Sequence, residues 1–236
     1  MSPLDVVYAD DVLVVVNKPS GLLSVPGRGP HNADCASARV QALYPDALVV
    51  HRLDMSTSGL LVLARGVDAQ RELSRQFAQR EVFKRYEAVV AGHLEPKATA
   101  AANTTTPKAH SITANESSDN WATIDLPLIV DWPNRPKSKV DHTQGKPSQT
   151  RWQVREHLTL PCGLPATRVA LEPVTGRSHQ LRVHLQALGH PIVGDELYAN
   201  AAALSAAPRL LLHACVLELT HPHTQKRHRF ESAVLF

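Results

Sequence analysis

The stretch HRLDMSTSGLLVLAR, residues 51–65, places one carboxylate, Asp54, between Arg52 and a run of small hydroxylated residues that leads into an apolar strand. Clusters of Asp, Ser and Thr often hydrogen-bond their own backbone, so a turn or capping role for Asp54 is one interpretation. No second acid, cysteine or metal-ligand cluster lies beside it in the sequence. A chemical role would therefore depend on partners from other parts of the chain.

Composition limits the classes of protein to consider. The chain has 236 residues, of which 43% are hydrophobic, enough for a packed core. It contains no apolar run of the roughly 18 residues that a membrane span needs, and its N-terminus lacks the order of a signal peptide, which favours a cytoplasmic protein. Three widely spaced cysteines predict neither a disulfide framework nor a zinc site. The formal charge of +3 permits a polyanionic partner without requiring one.

The apolar pattern predicts more strand than helix. Strand-like runs occupy residues 12–17, 59–64, 86–92, 151–158, 167–174 and 209–221. Helical spacing predicts one helix over 68–81 with Asp68 as its N-cap, and a second over 178–189 that ends at Gly189. Because strands and helices do not alternate regularly, we expect an α+β fold with a mixed, mainly antiparallel sheet.

Residues 95–120 differ in composition from the rest of the chain. They are dominated by Ala, Thr, Asn and Ser and contain no Leu, Val or aromatic residue. Such a segment buries too little apolar surface to offset its ordering entropy, so it is predicted to be a flexible insertion loop.

A second polar segment, residues 173–198, is rich in arginine and histidine. His179 and His184 are five residues apart, whereas helical metal-ligand pairs are four apart, so the pattern argues against a metal site. Arginines that accompany a single acid indicate a buried ion pair instead. An aspartate paired with a guanidinium stays ionised and can act as a nucleophile or base.

The reaction class follows from the single acid. A glycosidase normally uses two carboxylates, one of them protonated to expel a poor leaving group. One ionised carboxylate suits a glycosidic carbon whose leaving group is itself a good anion, such as uracil.

Four motifs, in this order along the chain, resemble those of the RluA family of pseudouridine synthases: HRLDMSTSGLLVLA, KRYEAVVAGH, PVTGRSHQLRVHLQALGHPIVGDELY and RLLLHACVLELTHP. The resemblance runs from about residue 12 to the C-terminus. It implies the pseudouridine synthase fold, with helices and loops flanking the sheet around a central cleft. Many relatives carry an N-terminal S4 domain, but here the signature begins almost at once, so we expect a single catalytic domain over 1–236 without one.

The family implies an enzyme that detaches uracil from ribose, turns it and rejoins it through carbon, with no cofactor and no metal. The stretches NKPSGLLSVPGR and LPLIVDWPNRPKSKV resemble a dual-specificity branch that acts on a tRNA anticodon stem-loop and a stem-loop of 23S rRNA. RNA is therefore the expected partner, and we expect a monomer because RNA docking needs no symmetry.

The resemblance also assigns roles to individual residues. Asp54 matches the catalytic aspartate, which either attacks the sugar C1′ or removes a ribose proton. Tyr86 matches the tyrosine that packs on the target base, and Arg182 matches the arginine that pairs with the aspartate. Arg52 matches a residue that fills the space left by the extruded uridine, and Leu181 is also placed in the substrate site. Core packing for Tyr86 and solvated surface roles for the arginines are the alternative interpretations.

A stacked uridine must leave its stack before a side chain can reach its glycosidic bond, and stem-loops keep that cost low. RNA loops are recognised by stacking and phosphate contacts, so a basic rim is expected around the pocket. Arg135, Lys137 and Lys139 are the predicted rim residues, although a solvated charged face is equally typical of such a segment. Lys18 and His51 are predicted to be structural.

Two other functions stay open on the sequence. A noncatalytic RNA-binding module could keep the fold, but the presence of Asp54, Tyr86 and Arg182 argues against it. A nucleoside or glycoside hydrolase is disfavoured because no second carboxylate accompanies Asp54.

Overall fold

The computed structural model describes residues 4–27, 29, 33–95, 113–114 and 120–236. The chain forms two compact units. The first unit comprises Met1–Tyr86 and Leu212–Phe236, and the second comprises Glu87–Leu211. The single catalytic domain expected over 1–236 stays a prediction.

The first unit is built on antiparallel strands with two helices. Its strands are β1 (Asp5–Ala9), β2 (Leu13–Lys18), β3 (Ala47–Val49), β4 (Ser58–Arg65), β12 (Leu212–Thr220) and β13 (Arg227–Glu231), and its helices are α1 (Ala36–Gln41) and α2 (Val67–Ala78). The strand order is β1-β2-β4-β12, with β3 beside β4 and β13 beside β12. These pairs are antiparallel except β4 and β12, which run parallel.

Strand β4, the apolar part of the opening stretch, lies at the centre of this unit. Every residue of β4 except the last is buried. Because side chains alternate along a strand, Leu61 and Leu63 pack with Val40 of α1, whereas Leu60 packs with Leu73 of α2. A strand buried on both faces has a continuous apolar sequence, as this one does.

Helix α2 corrects one expectation from the sequence. Asp68 was predicted as the N-cap, but the helix begins at Val67 and its N-cap is Gly66. The chain leaves β4 through a backbone conformation with φ +80° at Gly66, which favours glycine over any capping side chain. Asp68 lies in the first turn, where its negative charge interacts favourably with the helix dipole.

The second unit is also mainly strands. They are β5 (Phe83–Ala91, which begins in the first unit), β6 (Thr113–Ala114), β7 (Ala122–Asp125), β8 (Leu128–Val130), β9 (Ser138–Val140), β10 (Gln149–Thr159) and β11 (Pro165–Pro173), with helices α3 (Gln180–Ala187) and α4 (Ala201–Ser205). The strand order is β5-β11-β10-β7-β6, and β8 and β9 form a separate two-stranded hairpin. Most of the loop predicted over 95–120 lies outside the described residues, so its flexibility stays a prediction.

The strand-rich organisation confirms the predicted α+β class with a mainly antiparallel sheet. The second predicted helix is α3, and Gly189 follows its C-cap with φ +84°, as expected of a residue that ends a helix. Within the described part of the chain, none of the helices has the length and apolarity to cross a membrane.

Candidate active site

The turn that carries Asp54 connects β3 to β4 in the first unit. The residue before it, Leu53, is buried and fixed from both sides by Ser24. The Leu53 amide donates to Ser24 Oγ at 3.0 Å, and Ser24 Oγ donates to the Leu53 carbonyl at 2.7 Å. The Thr57 amide donates to the Asp54 carbonyl at 3.1 Å and closes the turn. Asp54 is thus held on a fixed backbone with its side chain half-buried.

A buried lysine lies beneath this turn. Lys18 is 0% exposed, and its Nζ donates to the carbonyls of Pro19 (2.9 Å), Leu22 (2.7 Å) and Met55 (3.1 Å). Burial lowers the pKa of Lys18 to about 8, while the negative charge of Asp54 raises it. The ammonium therefore persists at neutral pH, with all three donors used. These contacts fit the structural role expected of Lys18.

Tyr86 on β5 packs against the cluster formed by Leu61 and Leu63. Burial raises the pKa of Tyr86 well above its usual value, and the charges of Asp54 and Cys215 raise it further. The phenol is therefore neutral at physiological pH. It can donate a hydrogen bond, but it is not a base.

His51 supports the start of the same segment. Its ring stacks on Phe77 with centroids 4.5 Å apart, and its Nε2 accepts from the Val62 amide at 3.1 Å. Burial lowers the pKa of His51 to about 3, and the charge of Lys84 lowers it further. A neutral imidazole thus ties this segment to β4. Arg52, the next residue, is exposed.

In the second unit, Arg182 lies on α3 and is buried. Its Nε and one terminal nitrogen donate to the two carboxylate oxygens of Asp195 at 2.8 and 2.7 Å. Asp195 also accepts from the amides of Leu197 and Tyr198 at 2.9 and 3.1 Å. Asp195, which belongs to the GDELY part of the third motif, was not among the residues predicted from the sequence. The pairing of Arg182 with Asp54, residues of different units, stays a prediction.

His184, one of the two histidines weighed as metal ligands, is structural. Its Nε2 donates to the Leu126 carbonyl at 3.0 Å, and its Nδ1 accepts from the Thr150 hydroxyl at 2.9 Å, a tautomer that follows because a carbonyl can only accept. Burial lowers the pKa of His184 to about 4. Among the described residues, no group of three or more His, Cys, Asp or Glu side chains is placed to hold a metal ion.

The predicted rim residues Arg135, Lys137 and Lys139 lie on the hairpin of β8 and β9, which Tyr198 connects to α3. The Tyr198 hydroxyl accepts from the Ser138 amide at 2.7 Å, and its ring lies 5.0 Å from the Arg182 guanidinium. The same hydroxyl is 2.8 Å from Nδ1 of His179, the residue before α3. Leu181 is buried on α3. The second unit thus joins the rim hairpin to Arg182, whereas Asp54, Tyr86 and Arg52 belong to the first.

The family model for RNA pseudouridylate synthase matches residues 12–187. The chain therefore belongs to the RNA pseudouridylate synthase family, whose enzymes convert uridine to pseudouridine. It is 50% identical over 219 residues to the dual-specificity RNA pseudouridine synthase RluA of Escherichia coli strain K12, a match that covers 93% of this chain and 88% of the relative. The protein of the same name from Vibrio vulnificus is 49% identical over 218 residues, covering 92% of this chain and 78% of the relative.

Solved structures agree with this family. The structure titled human RNA Pseudouridylate Synthase Domain Containing 1 matches with a TM-score of 0.72 and 29% identity, covering 99% of this chain and 86% of that one. Family and fold thus support the resemblance on which the roles of Asp54, Tyr86 and Arg182 were predicted.

Proposed function

We propose that this protein isomerises uridine to pseudouridine in structured RNA, with Asp54 as the catalytic carboxylate. The observation that carries the proposal is the surroundings of Asp54. Its half-buried side chain lies on a fixed turn, with the Lys18 ammonium and the neutral Tyr86 phenol close enough to interact with its charge.

The chemistry requires an ionised carboxylate near the ribose of an extruded uridine. Whether Asp54 attacks C1′ or removes a ribose proton, the N1–C1′ bond breaks and uracil leaves as an anion. The base then turns and C5 bonds to C1′; on the first route this displaces the Asp54 carboxylate from C1′, and on the second the ribose carbon regains the proton that Asp54 removed. Loss of the C5 proton and protonation of N1 complete pseudouridine. Asp54 performs the first step, and the Tyr86 ring packs against the uracil while its hydroxyl donates a hydrogen bond.

The substrates that the resemblance implies are a tRNA anticodon stem-loop and a stem-loop of 23S rRNA. Relatives named dual-specificity RNA pseudouridine synthase support this choice, since their sequences are about 50% identical to this chain over the aligned residues. Arg182 is proposed to pair with Asp54, Arg52 to fill the vacated position in the RNA, and Leu181 to line the base pocket. We further propose that the protein acts as a monomer in the cytoplasm without a cofactor.

Tritium release tests the reaction directly. RNA transcripts labelled with [5-³H]uridine lose tritium to water only when C5 exchanges its hydrogen for a bond to carbon. We expect tritium release from both the tRNA stem-loop and the 23S stem-loop. Digestion of the product RNA to nucleosides should yield pseudouridine. A stem-loop with cytidine at the target position is the matched control and should release none.

The other functions give different products in the same assay. A nucleoside hydrolase would produce free uracil and abasic RNA, and a noncatalytic module would bind the RNA and leave it unchanged. Either result with correctly folded protein would reject the proposed reaction. Release from only one of the two stem-loops would reject the dual specificity alone.

A further inference from the structure

The hairpin of β8 and β9 presents an unusual aromatic residue to solvent. Trp132 is 67% exposed in the loop between the two strands. Within the described part of the chain, it is the only Phe, Tyr or Trp side chain that is exposed. A large apolar ring on a hairpin loop forgoes the stability that burial would give, and it is available to contact another molecule.

One face of this ring is already covered by an arginine. The guanidinium carbon of Arg135 lies 3.0 Å from the centroid of the Trp132 ring. The planar guanidinium stacks well on aromatic faces and holds the indole in place. Trp132 remains two-thirds exposed, so most of the ring surface that Arg135 does not cover is open to solvent.

Hydrogen bonds close the loop around this pair. The Asp131 amide donates to the Lys137 carbonyl at 2.9 Å, and the Asn134 amide donates to the Asp131 carbonyl at 3.0 Å. The Asn134 side chain also donates to the Asp131 carboxylate at 2.9 Å, and Lys139 lies 3.9 Å from it. The loop therefore offers an ordered surface, which lowers the entropy cost of binding.

The net positive charge of the hairpin indicates a negatively charged partner. Arg135, Lys137 and Lys139 outnumber Asp131, whose charge is satisfied within the loop. Aromatic rings combined with positive charge are the usual surface for single-stranded nucleic acid, because every base has a face that can stack. A lone exposed tryptophan among cations fits one unpaired base better than a paired helix, whose bases are already stacked.

We propose that the Trp132–Arg135 stack is a docking site for one unpaired base of the RNA, which stacks on the open face of the indole. The proposal rests on the proposed function for its RNA substrate. It also gives Arg135 a role different from the predicted phosphate contact, because its guanidinium extends the stack. Tyr198 connects the hairpin to Arg182. Its hydroxyl accepts a hydrogen bond from the Ser138 amide at the end of the hairpin loop, and its ring lies next to the Arg182 guanidinium.

The test measures binding to RNA that cannot react, so that it does not depend on catalysis. A stem-loop with its loop uridines replaced by cytidine is compared with a blunt duplex of the same stem. Trp132→Leu should weaken stem-loop binding by about 5- to 150-fold and duplex binding by less than about 2-fold, since one stacked base is lost. Trp132→Phe should retain part of the affinity, and Val130→Ala, on the same hairpin, should match the wild type.

Salt dependence separates stacking from phosphate contacts. Trp132→Leu and Arg135→Lys should both weaken stem-loop binding without changing the log–log salt slope, because neither removes a charge. Lys137→Ala should reduce the slope by about 0.7 if it contacts a phosphate. Tryptophan fluorescence should be quenched when the wild type binds the stem-loop, and Trp132→Leu should lose that quenching.

Several outcomes would overturn the docking site. They are unchanged stem-loop affinity in Trp132→Leu, an equal loss on the duplex, or no preference of the wild type for the stem-loop. Circular dichroism and the melting temperature check that each variant is folded. If the wild type forms no pseudouridine but Trp132→Leu still loses stem-loop affinity, the proposed reaction fails and the docking site stands.

Discussion

Two aspartates, each in a motif of the family pattern, differ in burial. Asp195 is 1% exposed and accepts four hydrogen bonds, two from Arg182 and two from backbone amides. Asp54 is half-buried on a turn whose order comes from its backbone neighbours. A carboxylate whose lone pairs are filled by protein donors can hold structure together, but it cannot attack a substrate. An acid used in chemistry must also reach its substrate, and Asp54 is the less buried of the two.

Asp54→Asn should give the largest effect on activity. The substitution removes the charge needed for either mechanism and changes the volume little, so turnover should fall by at least about 10³-fold. Tritium release from the stem-loop substrates under single-turnover conditions measures the loss. Because the turn is held by backbone contacts of Leu53 and Thr57, the melting temperature should stay within about 2 °C of the wild type.

Asp11→Asn, at a fully exposed side chain, is the matched control and should retain wild-type turnover. RNA affinity of Asp54→Asn should remain within a few-fold of the wild type. Turnover within tenfold of the wild type would remove Asp54 from the catalytic role.

Asp195→Asn should show the opposite pattern, with a loss of stability. The change removes the negative charge that accepts two hydrogen bonds from the buried Arg182 guanidinium, which should lower the free energy of unfolding by about 3–5 kcal/mol. Urea denaturation measures it, and Glu196→Gln at the exposed neighbouring position is the control. Wild-type stability in Asp195→Asn would show that the two aspartates do not differ as their contacts indicate.

Part of the fold was accessible from sequence, but the contrast between the two aspartates was not. The apolar run of β4 predicted a buried strand because periodicity is a local property, and Gly189 marked the end of α3 for the same reason. Asp195 as the partner of Arg182 was missed, since a pair thirteen residues apart depends on the turn between them. Trp132 was also missed, because nothing in the letters WPNRP reports how much of a ring is exposed. The N-cap at Gly66 depended on backbone geometry that the search for a capping side chain overlooked.

Tyr86→Phe sharpens the comparison within the first unit, because Tyr44 packs against the same cluster. Removing the Tyr86 hydroxyl should lower turnover by about 10²-fold, the low end for a positioned hydrogen-bonding group, while RNA affinity stays unchanged because the ring is kept. Tyr44→Phe should have wild-type turnover. Stem-loop binding and single-turnover rates must be measured separately. Equal single-turnover rates for Tyr86→Phe and Tyr44→Phe would show that the Tyr86 hydroxyl takes no part in the reaction and that Tyr86 only packs against the base.

A last comparison involves two histidines that support these regions, half-buried His51 beside the Asp54 turn and buried His184 on α3. Burial lowers their pKa values to about 3 and about 4, below the roughly 6.5 of an unfolded chain. Between these limits the unfolded state binds more protons, so the free energy of unfolding should rise with pH and be lost on acidification. Each histidine should contribute up to about 1.4 kcal/mol per pH unit below about pH 6.5. Urea denaturation of His51→Gln and His184→Gln from pH 7 to 4 should show a shallower slope than the wild type, whereas His223→Gln, at an exposed position, should not. If only one of the two variants flattens the dependence of the unfolding free energy on pH, only that region depends on a neutral histidine. If neither variant does, the contacts of these imidazoles do not set the acid stability of the protein.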